Sequence, residues 1–247
     1  MKCSREVLSG DGGRLRGVLR RVLCGVYPEL CVVCGRGLVS GERVMCMECD
    51  EGLPRSFSHR ESSPRVSQRL GRVWGLRGCA SWFHYDPTER YAALIRSAKY
   101  GDRPWVARYL GARFAAELAG DVFFEGIDVM VPVPLHWRRR MSRGFNQSEE
   151  IALGVSSVSG IGVSDALRAV RAHRSQTGFS GAERMENVRG VFGVRDGSEL
   201  EGRHILMVDD VVTTGATLES ALGSVLAACR PSAVSVLTLG VTRPRSR

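Results

Sequence analysis

Apolar residues recur at Leu15, Val18, Leu19, Val22, Leu23 and Val26, with Arg14, Arg16, Arg20 and Arg21 on the opposite side. Spacing of i, i+3, i+4 and i+7 predicts one amphipathic helix over 13–27, ended near Pro28. Docking of its apolar stripe onto the rest of the protein is favoured over binding at a membrane surface. From Pro54 to Arg72 the apolar residues thin out among Ser, Arg and Pro, as in a linker. Beyond residue 73 the period alternates. Ala80 to Tyr85 reads as a strand, Pro87 to Tyr100 and Trp105 to Leu118 as helices, and Asp128 to Val133 as a short apolar strand running into Pro132 and Pro134. Asn146 to Val155 is helical, and the polar, weakly periodic stretch 172–189 predicts a mobile loop. Val191 to Val194 and His204 to Val208 follow as strands, Thr217 to Cys229 as a helix and Ala233 to Val241 as a last strand. Such alternation implies an α/β fold, a largely parallel sheet with helices on both faces. No internal repeat is visible.

Composition agrees with a globular chain: 247 residues, 43% hydrophobic and 25% charged, exclude disordered and collagen-like classes and supply ample apolar material for a core. No stretch reaches the roughly 20 uninterrupted apolar residues of a membrane span. The longest candidate, Ala221 to Val241, is broken by Arg230-Pro231, and arginines interrupt any signal-peptide pattern at the N-terminus. A soluble, cytoplasmic protein is expected. The formal charge of +9 rests on 33 Arg and two Lys, with a net +5 in residues 1–72 and +4 in 73–247. That balance suits an anionic partner, nucleic acid or a phosphorylated ligand, or is simply a basic surface.

Four of eight cysteines form Cys31-x2-Cys34-x11-Cys46-x2-Cys49. Two Cys-x-x-Cys knuckles on turns rich in Gly and charge can converge on one tetrahedral ion, so a structural Zn²⁺ with four sulfur ligands is expected over redox dithiols. Cys3, Cys24, Cys79 and Cys229 lack partner spacing and are expected to pack as small hydrophobes or to sit loosely near the terminus. The chain then divides into an N-terminal helix (1–30), a zinc module (31–53), a linker (54–72) and an α/β domain (73–247).

The most informative stretch is Ile205-Leu206-Met207-Val208-Asp209-Asp210-Val211-Val212-Thr213-Thr214-Gly215-Ala216-Thr217. A buried parallel strand delivers two carboxylates to the edge where open α/β sheets bind ligands. The Thr/Gly turn that follows opens a helix, whose N–H groups and hydroxyls suit a phosphate. Adjacent carboxylates suit the hydroxyls of a vicinal diol. Together they describe a ribose 5-phosphate. The stretch resembles the motif by which type I phosphoribosyltransferases bind 5-phosphoribosyl 1-diphosphate (PRPP). That resemblance implies Asp209 and Asp210 on the ribose 2′- and 3′-hydroxyls, and Thr213, Thr214, Gly215, Ala216 and Thr217 around the 5′-phosphate. Salvage enzymes for 6-oxopurines carry an Asp where this chain has Thr213, which disfavours that substrate class.

Three further segments fit the same ligand. Val131-Pro132-Val133-Pro134-Leu135-His136-Trp137-Arg138-Arg139-Arg140 leaves a strand and turns into an arginine run, and Arg143-Gly144-Phe145-Asn146-Gln147-Ser148 opens a helix. Guanidinium forks and a helix N-terminus suit pyrophosphate, with Arg138 and Arg143 as candidates. Lys99, the sole interior lysine, lies in Leu94-Ile95-x3-Lys99-Tyr100 and is either a phosphate contact or a chance lysine. Together with the N-terminal helix and the cysteine quartet, these segments resemble the ComF (competence protein F, GntX-like) family over essentially the whole chain. Residues 171–192, with Gln176, Thr177 and Asn187-Val188-Arg189, resemble that family's mobile active-site hood.

The resemblance implies a type I phosphoribosyltransferase-like fold and PRPP bound with Mg²⁺. Displacement at ribose C1 would rest on Asp209 and Asp210, with Lys99, Arg143 and the Arg138 turn on pyrophosphate. It also implies a part in DNA uptake during natural transformation, beside a helicase or translocase. The chain has no Gly-x4-Gly-Lys-Ser/Thr loop of its own. No acceptor can be read, and His136 and His173 are candidate bases by residue type alone. The alternatives are a non-catalytic single-stranded-DNA accessory protein whose PRPP pocket is regulatory or vestigial, and a PRPP-sensing regulator.

Overall fold

The structure is a computed structural model that describes residues 29–60, 76–99, 103–135, 137–170 and 190–243, without the side chains of residues 60 and 137–139. The helix expected over 13–27, Cys3, Cys24, residues 61–72 of the expected linker, the loop 172–189, His136, His173 and the Arg138 side chain lie outside the described residues. The chain forms two units, Met1–Gly52 and Leu53–Arg247.

In the first unit, Leu30 and Gly37 form an antiparallel bridge and Gly35 N–H donates to Cys31 O at 2.8 Å, closing the first knuckle as a turn. The second knuckle, expected on a turn as well, instead opens a short helix, α1 (Met47–Glu51), with Cys46 at its N-cap. Glu42 braces it by accepting from the N–H groups of Val39 and Met47.

The second unit runs β1 (Leu76–Tyr85), α2 (Ala92–Lys99), α3 (Pro104–Leu118), β2 (Val129–Pro132), α4 (Trp137–Arg143), α5 (Gln147–Ser159), β3 (Gly162–Val163), β4 (Leu167–Ala169), β5 (Phe192–Val194), β6 (His204–Val212), α6 (Ala216–Ala228) and β7 (Ala233–Thr242). Five strands form one sheet in the order β1-β7-β6-β2-β3, every pairing parallel, while β4 and β5 make a separate antiparallel pair.

Ile205 to Val208 are all fully buried, the mark of a central strand covered on both faces. Ile205 and Met207 join Val234 and Val236 in one apolar cluster with Leu218, Leu222 and Val225 of α6. The intervening Leu206 and Val208 point the other way. Ile151, Ala152 and Val155 of α5 are equally buried yet lie outside that cluster, on a helix that packs along β2 and β6. Helices therefore cover both faces, as the alternation implied. Cys79 and Cys229 are buried and part of the α6-side core.

Four local expectations change. β6 continues past Val208 through the acidic pair, because Asp209 and Val211 keep register with Thr238 and Gly240 and backbone pairing is indifferent to side-chain charge. The arginine run, expected as a turn, is helical in α4. β3 and β4, two and three residues long, are too short to show alternation in sequence. Finally, Pro54–Arg60, expected as the start of the linker, lies along β1. Ser56 N–H donates to Trp82 O, His84 N–H to Pro54 O and Ser81 N–H to Ser58 Oγ, at 2.7–2.9 Å. Arg55 makes a two-pronged pair with Glu117, which also accepts from Trp82 Nε1. The segment covers an edge strand that would otherwise present open hydrogen-bonding groups.

Candidate functional site

From β2 the chain passes through α4 and α5 to β3 on one side; from β6 it passes through α6 to β7 on the other. Adjacent parallel strands whose connections diverge leave a crevice at their C-terminal ends, the usual ligand position in open α/β sheets. β6 carries Asp209 and Asp210 into this region. Thr213 and Thr214 turn the chain, and Gly215, at φ +87°, a conformation few residues other than glycine accept, caps α6. Asp209 and residues 211–218 line a concave pocket here, so the end of the acidic strand and the N-terminal turn of α6 border one cavity, with Ala216 N–H donating to Thr214 Oγ1. Thr242 Oγ1 donates to Thr213 O and ties the turn to the end of β7.

The N-terminus of α5 is built toward the same carboxylate. Asn146 caps it: its Oδ1 accepts from Ser148 N–H at 3.3 Å while its Nδ2 donates to Val133 O at 3.2 Å, just beyond β2. Ser148 Oγ then donates to Asp209 Oδ1 at 3.0 Å, and Asp210 N–H reaches the same oxygen at 2.8 Å. Asn146, Gln147 and Ser148 are all buried, and Gln147 Nε2 has no hydrogen-bond partner among the described residues. From the end of α2, Lys99 Nζ lies 2.8 Å from Asp210 Oδ2. Burial lowers the basicity of that ammonium, but the charge and hydrogen bond of Asp210, then the charge of Asp209, outweigh it and raise its pKa.

Of the residues singled out in sequence, the structure thus brings Asp209, Asp210, Lys99 and Thr213 to Thr217 to one region. Lys99, expected on pyrophosphate, is paired with Asp210. Arg143 is half-buried at the end of α4. The structure adds Ser148, whose one sign in the sequence is a hydroxyl in the first turn of a helix that follows a strand.

In the first unit the sulfurs of Cys31, Cys34, Cys46 and Cys49 all lie within 4.8 Å of one another, and those of Cys34 and Cys46 are 3.7 Å apart. Tetrahedral zinc with Zn–S near 2.3 Å places its sulfurs about 3.8 Å apart, so the quartet fits such an ion. Cys46 N–H points at Cys31 Sγ at 3.4 Å. Burial acts to raise the Cys31 thiol pKa, but N–H groups from Cys34, Cys46 and Val33 bring it down to about 7.

The family model described as "Phosphoribosyl transferase domain" matches residues 110–246. The DNA utilization protein YhgH of Escherichia coli K12 is 30% identical over 198 residues, 76% of this chain and 80% of that protein. Competence protein F of Haemophilus influenzae is 27% identical over 204 residues, 76% of this chain and 86% of the other. Among solved structures, glutamine PRPP amidotransferase from B. subtilis is 23% identical with a TM-score of 0.37, covering 53% of this chain and 25% of that one. The acidic pair, its turn and the α5 N-terminus all fall inside the matched stretch, and the chain belongs to the ComF family of proteins with a phosphoribosyl transferase domain.

Proposed function

We propose that the crevice beyond β2 and β6 binds PRPP or a closely related phosphoribosyl ligand. The observation that carries this reading is the succession Asp209, Asp210, the Thr213–Gly215 turn and the α6 N-terminus, which offers acceptors for a diol and donors for a phosphate on consecutive positions. Asp209 Oδ2, clear of the two donors on Oδ1, and Asp210 accept from the ribose hydroxyls. The N–H groups of the first α6 turn, with the hydroxyls of Thr213, Thr214 and Thr217, take the 5′-phosphate. Arg143, at the end of α4, and Arg138, by its place in the sequence after β2, are the residues assigned to the diphosphate. Mg²⁺ bound with the ligand would supply charge neutralisation for a departing diphosphate, while Asp209 and Asp210 orient the sugar. Lys99 offsets the charge of the acidic pair, and transfer at C1 then depends on orientation and on exclusion of water more than on a protein nucleophile. The cysteine quartet holds one structural Zn²⁺, and the chain works in the cytoplasm.

A second reading draws on the relatives, one named for DNA utilization and one for competence. With an excess of basic residues in 1–72, it makes the chain a single-stranded-DNA accessory protein in DNA uptake, working beside a helicase or translocase, its pocket regulatory. One calorimetric experiment separates the two. The full chain is titrated with PRPP and Mg²⁺, beside the Asp209→Asn/Asp210→Asn double variant, and with a single-stranded oligonucleotide at rising salt. We expect PRPP binding that the double variant loses. A folded protein that ignores PRPP but binds DNA with a steep salt dependence would replace the first reading by the second.

A further inference from the structure

Ser148 sits at the second position of α5, is 4% exposed, and sends its hydroxyl across to Asp209 on β6 rather than back to its own helix. The direction of that hydroxyl is set by a chain of contacts. Asn146 is anchored on Val133 O, beyond β2, and holds Ser148 N–H; Ser148 Oγ holds Asp209 Oδ1; Asp210 N–H holds the same oxygen. Two donors on one carboxylate oxygen fix the plane of the group and leave Oδ2 with no partner among the described residues. Lys99 does the equivalent for Asp210 by occupying its Oδ2. Each acid of the pair thus has one oxygen committed to the protein and one left over.

Resting on the phosphoribosyl reading above, we propose that Ser148 is a positioning residue: it presets the Asp209 carboxylate so that Oδ2 meets one ribose hydroxyl without rotating on binding. A carboxylate held in this way loses no torsional freedom when the ligand arrives, and the interaction is correspondingly stronger. The gain is tied to one hydroxyl of the ligand, whereas a general loss of packing around α5 would weaken every ligand alike.

The test measures binding of ribose 5-phosphate, its 2-deoxy and 3-deoxy analogues and inorganic phosphate to wild type, Ser148→Ala and Ser148→Thr in the full chain. We expect Ser148→Ala to weaken ribose 5-phosphate on the order of tenfold, the scale of a hydrogen bond to a charged group. The loss should shrink toward none for one of the two deoxy analogues and for phosphate, and Ser148→Thr, which keeps the hydroxyl, should restore most of it. Equal losses for all ligands, or no loss, would overturn the proposal. A ligand-free arm uses a cycle of urea unfolding with Ser148→Ala, Asp209→Ala and both together, since alanine removes the oxygen that accepts from Ser148. We expect a coupling on the order of tenfold in the unfolding constant, and none would also overturn it. If wild type ignores every ribose phosphate while the coupling is present, the phosphoribosyl reading falls and the fixed carboxylate stands.

Discussion

Burial, then the neighbouring charge of Asp210, lifts the Asp209 carboxyl well above the usual carboxylate range, to about 7, against the Asp210 N–H, the Ser148 hydroxyl and the charge of Lys99. Such a group is a liability to the fold at neutral pH. Because its folded pKa exceeds its unfolded one, the native state holds the extra proton between about pH 4 and 7. Stability is therefore greatest below that window and is lost as pH rises through it, by up to about 1.4 kcal/mol per pH unit for one proton. Asp209→Asn keeps the shape of the side chain and removes the charge. Urea midpoints taken from pH 4 to 8 should place the variant above wild type at pH 8, with the gap closing toward pH 4. A variant less stable than wild type at pH 8 would mean that the contacts from Ser148 and Asp210 more than repay the burial. The same substitution removes the acceptor proposed for the ribose, so on that reading stability and binding should move in opposite directions, the pattern of a residue kept for function.

Among the elements, α3 and α5 lie in unusually close contact. A Cβ built on Gly154 of α5 would collide with the Arg108 carbonyl of α3, and one on Gly111 of α3 with the Ile151 carbonyl of α5. The two helices meet backbone to backbone, and the approach sets where the α5 N-terminus, and with it Ser148, ends up. Gly154→Ala should therefore do two things, although alanine favours a helix by itself. It should lower stability by about 1–3 kcal/mol in thermal or urea unfolding, the cost of overpacking, and weaken phosphoribosyl binding by shifting α5 against β6. A neutral effect on both would show that the helices separate without consequence. None of this was legible in sequence. Helical periodicity marked α3 and α5 one at a time, but glycines in two separate helices carry no sign that they face one another. The β6–α6 stretch was legible because strand, acidic pair, turn and helix are contiguous. Lys99–Asp210 and Ser148–Asp209 were not, since the second pair lies 61 residues apart and only the parallel order β6-β2 brings its members together. The edge cover by Pro54–Arg60 was missed for another reason: it pairs through backbone groups and buried serines, which leave no apolar pattern.

At the scale of the whole molecule, the described residues of the two units bury very different sets of side chains. Among the described residues of the first, the buried apolar side chains are Cys31, Val44, Met45, Cys46 and Cys49. Three of the five are members of the sulfur quartet, so the proposed ion would tie together most of what is buried among these described residues. The second has a continuous apolar core on both faces of its sheet. Zinc bound by four thiolates supplies folding free energy directly, and its removal leaves the charged or protonated sulfurs with no compensating partner. A strong chelator at neutral pH should release about one Zn²⁺ per chain, read by a colorimetric metal assay. Amide hydrogen exchange should then accelerate across 29–52, including the N–H groups of Gly35 and Cys46 that now point at Cys31. Exchange in β6 and β7 should stay slow, because their hydrogen bonds lie within the second unit's own core. Phosphoribosyl binding, whose residues all belong to the second unit, should survive chelation with little change in affinity. A protein prepared without metal that keeps slow exchange through 29–52 would refute the structural zinc, and loss of phosphoribosyl binding on chelation would show that the pocket draws on the first unit as well.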